Sequence, residues 1–179
     1  DSSMRNVNSI AKLSEQEFAD MSQEVIKLST KLPQSAKTLA DGLYDISSSG
    51  FAGAEGLKVL EASAVAASAG MTDTATSAKG ITAVLNAYGM SAEDAMSVAD
   101  TMFATVDKGV ITFEELAGGI GNVISTANLA SIEFNELSGM IAYMTTKGVS
   151  ADETMTALNR LIMSIIDPSD ALAEVLRKA

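Results

Sequence analysis

Apolar residues recur along this chain at helical spacing and are interrupted at regular intervals. Ala95, Val98, Ala99, Met102, Phe103 and Val106 follow i, i+3, i+4, i+7, i+8, i+11. Phe113, Leu116, Ala117, Ile120, Val123, Ile124 and Ala127 run nearly the same way. Phe18, Met21, Val25 and Leu28 form a narrower stripe, and Leu158, Leu161, Ile162, Ile165 and Ile166 form another. These spacings place each set on one side of an α-helix. No stretch alternates at period two for long enough to predict a strand.

The interruptions share a chemistry. AGMTDTA (Ala69–Ala75), YGMSAED (Tyr88–Asp94), DKGVITFEEL (Asp107–Leu116) and KGVSADE (Lys147–Glu153) each read glycine, apolar, hydroxyl and then mostly acid. The glycines fall at Gly50, Gly70, Gly89, Gly109 and Gly148, with spacings of 20, 19, 20 and 39. Asn128 divides the long interval into 19 and 20, and asparagine also tolerates a left-handed backbone. Lys31 and Lys12 extend the series on one side and Asp167 on the other. Each glycine is expected to close one helix at positive φ, and each Ser or Thr to cap the next. Ser14 with Glu17, Thr112 with Glu115, and Ser150 with Glu153 have capping-box spacing, and Ser91 with Asp94 is a shorter-armed version. Leu13, Met90, Ile111 and Val149, just before the caps, are placed to act as hydrophobic staples.

The pattern therefore predicts an all-α fold. It is an array of antiparallel helical hairpins with a helix-turn period of about 19–20 residues, packed as a bundle or as a short solenoid. A helix of roughly 15 residues is about 22 Å long and cannot bury its own stripe, so neighbours must stack. Residues 1–11 are expected to be an N-terminal extension, and residues 12–179 a single helical-repeat domain cut from a longer chain.

Composition narrows the chemistry. Hydrophobic residues make up 47% of 179, but aromatics only 4%, so the core must be built from Ala, Leu, Ile, Val and Met. The absence of Cys and His removes thiol nucleophiles, Ser-His-Asp triads and the common zinc sites. Net charge is -11. From Gly80 to Thr146 a single base, Lys108, faces Glu93, Asp94, Asp100, Asp107, Glu114, Glu115, Glu133 and Glu136. That surface lacks the basic stripe that nucleic-acid binding requires, so no direct nucleic-acid recognition is expected. The uncharged run Leu116–Ile132 is too polar and glycine-rich to span a membrane.

Four motifs suggest sites and fail on their details. DKGVITFEEL ends like a calcium-binding EF-hand loop. With Gly109 at position six, however, positions one, three and five fall on Ala104, Val106 and Lys108, which cannot replace three oxygen ligands. AGGIGNV (Ala117–Val123) resembles the start of a dinucleotide-binding loop but lacks the third glycine, a preceding strand and a following Lys-Ser/Thr. Its glycines fit either close helix–helix contact or a bend. The acid pairs Glu93/Asp94, Glu114/Glu115 and Asp152/Glu153 could serve a glycosidase, yet each sits at a helix start, where the dipole favours the charged form. Met96, Met102, Met140, Met144 and Met163 lie at or beside the stripes and are expected to fill the core rather than line a groove. Tyr88 and Tyr143 lie near turns, where their hydroxyls have backbone to bond. No catalytic, cofactor-binding or metal-ligating residue is assigned.

The GMSAEDA turn (Gly89–Ala95), KGVITFEELAGGIGNV (Lys108–Val123) and KGVSADETMTALNRL (Lys147–Leu161), in this order and spacing, resemble the core region of bacteriophage tail tape-measure proteins. The likeness runs from about Leu13 to the end of the chain. It implies a non-enzymatic structural component of a phage or prophage tail, a helical module of the protein that governs tail length and assembly in the tube lumen. It implies tail-tube, tail-tip or assembly proteins and other tape-measure copies as partners. Any membrane contact would come from other parts of the full-length chain. The implied location is the virion tail lumen, reached from the host cytoplasm during assembly. Folded in hairpins, 179 residues are too short to be the ruler itself, so the resemblance points to a folded module on the rod. Two other readings stay open on the residues alone: a helical-repeat adaptor, unrelated to phage, that binds a protein or peptide, and a helical hydrolase using carboxylates.

Overall fold

The computed structural model describes residues 2–168; the segment 169–179 of the expected domain lies outside them. Ten α-helices follow one another: α1 (Ser2–Ala11), α2 (Glu15–Lys31), α3 (Ala36–Ser48), α4 (Gly53–Ala69), α5 (Thr74–Tyr88), α6 (Ala95–Lys108), α7 (Phe113–Gly119), α8 (Ile124–Leu129), α9 (Phe134–Thr146) and α10 (Ala151–Ile166). Short 3-10 turns occupy Ala92–Asp94 and Ile120–Asn122, and the described residues contain no strand. The all-α expectation holds.

Capping chemistry sets most of the helix starts. The Ser14, Thr112 and Ser150 side chains accept from the backbone N–H groups of Glu17, Glu115 and Glu153, whose carboxylates bind back to the caps. Asp94 accepts from the Ser91 N–H at 2.9 Å, in a box that opens the 3-10 turn before α6. Three further caps are Ser35 for α3, Asp73 for α5 and Glu133 for α9. In AGMTDTA the cap is thus Asp73 and not Thr72, because the carboxylate reaches the Thr76 N–H at 2.8 Å.

Helix ends depart from the regular scheme at several positions. Gly50, Gly89 and Gly148 take positive φ of 101°, 62° and 88° as expected, and Lys12 does so at 50°. At Gly70 the left-handed residue is instead Met71, with φ 52°. A Cβ on Gly70 would lie 2.7 Å from the Cβ of Phe113, so this glycine serves packing. Gly109 is extended, and its missing side chain lets α6 close on α9: a Cβ would lie 2.9 Å from the Thr145 hydroxyl and 3.1 Å from the Ala142 Cα. Asn128 is helical, and the left-handed residue in that turn is Ser131. Lys31 remains inside α2, and Asp167 follows α10 at negative φ.

The contact pattern distinguishes a solenoid from a globular bundle. With α7 and α8 counted as one broken helix, every substantial helix contact joins elements one or two places apart in the chain. One layer is α1, α3, α5, α7–α8 and α10, each packed on the next; the other is α2, α4, α6 and α9. This is a two-layer stack of hairpins in which each unit touches its neighbours. One continuous core runs through it, from Met4 and Val7 of α1 to Leu158 and Ile162 of α10. α1 lies within the stretch read as an extension, and it packs on α3.

Two packing expectations change. Among the methionines named above only Met102 is fully buried; Met96, Met140 and Met163 are exposed, because each points away from the buried stripe of its helix. On α10 the buried face is Thr154, Met155, Leu158 and Ile162, while Leu161 and Ile165 are 57% and 56% exposed. The sequence offers apolar residues on both sides of this helix, and only one side meets α7, α8 and α9.

Candidate functional site

The chemistry suggested by the motifs can be followed residue by residue. In DKGVITFEEL, α6 ends at Lys108, Gly109–Ile111 cross to the next layer and Thr112 caps α7. Glu115 accepts from the Thr112 N–H and hydroxyl, both at 2.8 Å. Those bonds, the backbone one foremost, hold its carboxyl below the usual range. The same cause acts on Glu17 through Ser14. A carboxylate held charged in this way is unsuited to act as a general acid. Among the described residues, no group of three or more acids is arranged to hold a metal ion.

Glu114 is exposed beside Glu115 on the first turn of α7. Glu93 pairs with Lys58 of α4 rather than with Asp94, whose carboxylate stays at its own cap. Asp152 and Glu153 likewise start α10, where Glu153 completes the box with Ser150. The three pairs open three different elements: α7, α10 and the 3-10 turn before α6.

The glycine-rich stretch is a break. α7 stops at Gly119, a 3-10 turn takes Ile120–Asn122 and α8 resumes at Ile124. A Cβ on Gly118 or Gly121 would meet nothing within 4 Å, and one on Gly119 would make ordinary contact with Met155 at 3.4 Å. Close approach on this side of the stack comes from Gly80 of α5 instead, where a Cβ would lie 2.8 Å from the Cα and Cβ of Ala117. Of the two expectations for AGGIGNV, the bend is the one the structure adopts.

Tyr88 donates its hydroxyl to the Ile132 carbonyl at 2.7 Å and ties the end of α5 to the turn before α9. Burial first, then the charges of Glu133 and Glu136, push its phenol up to about 12. Tyr143 makes no such bond: it is 65% exposed, with the Lys147 ammonium 5.0 Å from its ring centre.

Sequence reasoning missed one electrostatic feature, the carboxylates of Asp41, Asp45 and Asp73. Asp41 bonds Lys37 at 2.6 Å and is held low by it. Asp45, one turn on, is pushed up by burial and then by the charges of Asp41 and Asp73. The i, i+4 spacing of Asp41 and Asp45 was readable, but the approach of Asp73 from α5 depends on the α3–α5 packing.

The family profile described as phage-related minor tail protein matches residues 22–179. The chain belongs to this family. A tape measure protein of Pneumococcus phage Dp-1 is 26% identical over 176 residues, covering 98% of this chain and 15% of that protein. A probable tape measure protein of Clostridium phage phiCD119 is 25% identical over 150 residues, covering 82% of this chain and 16% of that protein. The chain thus spans less than a fifth of the length of these minor-tail relatives. No solved structure matches it significantly. Membership supports a structural role in a phage tail. Among the described residues no helix is long and apolar enough to cross a membrane.

Proposed function

We propose that this chain is a folded helical module of a tape-measure protein and takes part, without catalysis, in setting tail length and in assembly inside the tube. The observation that carries the reading is the family match across 22–179 together with the names of the two relatives. The fold supports it: one acid of each pair, Asp94, Glu115 or Glu153, serves a helix cap, and the stack of hairpins is compact where a ruler would be extended. Residues 12–179 act in this proposal as one unit of a longer protein, placed in the tail lumen among tube, tip and assembly proteins and other copies of itself, after assembly in the host cytoplasm.

The test is made on the full-length protein in phage, with an epitope tag in the exposed turn at Gly148. Purified virions should contain the tagged protein, shielded from protease until the tube is opened. Deleting the rod outside this module should shorten tails in proportion to the residues removed. Deleting the module alone should stop assembly without scaling the length. A tag digested in intact virions, or normal tails without the module, overturns the proposal.

A further inference from the structure

One layer of the stack carries a groove with a character of its own. It lies between α2 and the start of α4, two successive helices of the same layer, and has a volume of about 280 Å³. Its floor is apolar, formed by Leu13, Met21 and Leu57. Gly53 and Ala54 form one wall, where the absence of bulk lets another backbone come close. The opposite rim is acidic. Glu17, Asp20 and Glu24 stand at i, i+3 and i+7 along α2, all exposed, and no lysine or arginine lines the groove. Lys27 holds Glu24 only from outside, at 3.2 Å.

Drug-sized ligands occupy roughly 300–1,000 Å³, so this groove suits side chains of a partner rather than a small molecule. An acidic rim repels phosphate backbones and anionic lipid surfaces. An amphipathic helix that lays apolar anchors on the floor and turns bases toward α2 satisfies both surfaces at once. Repeat stacks commonly hold their partners on one continuous face of this kind.

We propose that the α2–α4 groove is a docking site for a cationic amphipathic helix of a partner protein. Steering by the rim makes the association salt-dependent, since charges are screened over about 8 Å at physiological ionic strength. Docking in this groove depends on its shape and charge alone and not on a place in a phage tail.

The probe is a fluorescently labelled 14-residue Leu/Lys amphipathic peptide, titrated by anisotropy against the 179-residue chain at low and physiological salt. A Leu/Glu peptide of the same pattern is the counter-probe. Asp20→Lys with Glu24→Lys reverses the rim and spares Glu17, which completes the capping box with Ser14; Ala54→Trp fills the groove without a charge change. Asp100→Lys with Asp107→Lys changes net charge equally on another helix, and circular dichroism confirms that every variant is folded. Both groove variants should bind at least fivefold more weakly, the control less than twofold, and the Leu/Glu peptide not at all. Equal weakening by the control, unchanged binding by Ala54→Trp, or no binding by the unmodified chain overturns the proposal.

Discussion

Replacing Gly80 by alanine should destabilise the protein, although alanine is the better helix former. In an exposed helix interior the change would gain roughly 0.5–1 kcal/mol, because glycine loses more backbone freedom on folding. At Gly80 the added carbon would stand 2.8 Å from the Ala117 Cα and Cβ and 3.1 Å from its carbonyl oxygen. Two of those three atoms are backbone, so α7 has to move as a body. Overpacking of this kind costs typically 1–3 kcal/mol, which leaves a net loss of up to about 2.5 kcal/mol. For a chain of this size that lowers Tm by up to about 10 °C. Gly118, on the same broken helix but with nothing within 4 Å of its Cβ position, is the internal comparison. Gly118→Ala should stabilise by a few tenths to about 1 kcal/mol. Ala117→Gly added to Gly80→Ala should recover part of the loss, since it removes one of the two closest atoms. The assay is urea unfolding followed by circular dichroism, with thermal melts in parallel. A stabilising Gly80→Ala would refute the claim that α5 and α7 meet backbone to backbone.

Other outcomes follow from single contacts. Thr112→Ala should cost about 1 kcal/mol, the usual worth of a side-chain cap, read as a lower urea midpoint. Glu115 is held below its ordinary value of 4.5 by the Thr112 bonds, so its contribution is full above pH 4.5 and fades as pH falls through the folded pKa; Thr112→Ala should flatten that acid limb. Asp45 behaves oppositely. Its folded pKa is raised above 3.8, so stability falls as pH rises from 3.8 through the folded value, and Asp45→Asn should stabilise at pH 7 but not at pH 3. Tyr88→Phe should lose about 0.5–1.5 kcal/mol with the bond to Ile132, seen as faster hydrogen exchange in the turn before α9. On the proposed placement in the tail lumen, the acidic surface would repel passing DNA; reversing Asp100, Asp107 and Glu114 to lysine in the phage should then slow DNA ejection or hinder assembly, and unchanged infectivity would refute that role for the acids.

What was legible in the sequence were signals that act within one turn of chain. The Ser14, Thr112 and Ser150 boxes depend on side chains three residues apart, and each formed as spelled. Gly50, Gly89 and Gly148 closed their helices for the same local reason. Gly70, Gly80 and Gly109 were different, because what excludes a side chain there is Phe113, Ala117 or Ala142, far away in the chain. A regular glycine spacing therefore joined two kinds of glycine that only packing separates. The outer face of α10 misled for a related reason: Leu161 and Ile165 are as apolar as the buried residues, and no period in one helix tells which side meets a neighbour. The α2–α4 groove was similarly out of reach, since its lining joins residues 13–24 to residues 53–57, two segments well separated in the chain.

The broken helix at Ile120–Asn122 bears on how this module can come apart. Six or seven residues do not hold a helix in water alone, so α7 and α8 persist through α5 and α10 in their own layer and α6 and α9 in the other. Among the described residues, loss of α10 would remove one of the flanks that hold that pair. Failure would then travel along the layers step by step, and the resisting force would be that of one interface at a time rather than of the entire core. A stack built this way yields to a small, steady pull rather than to one large force.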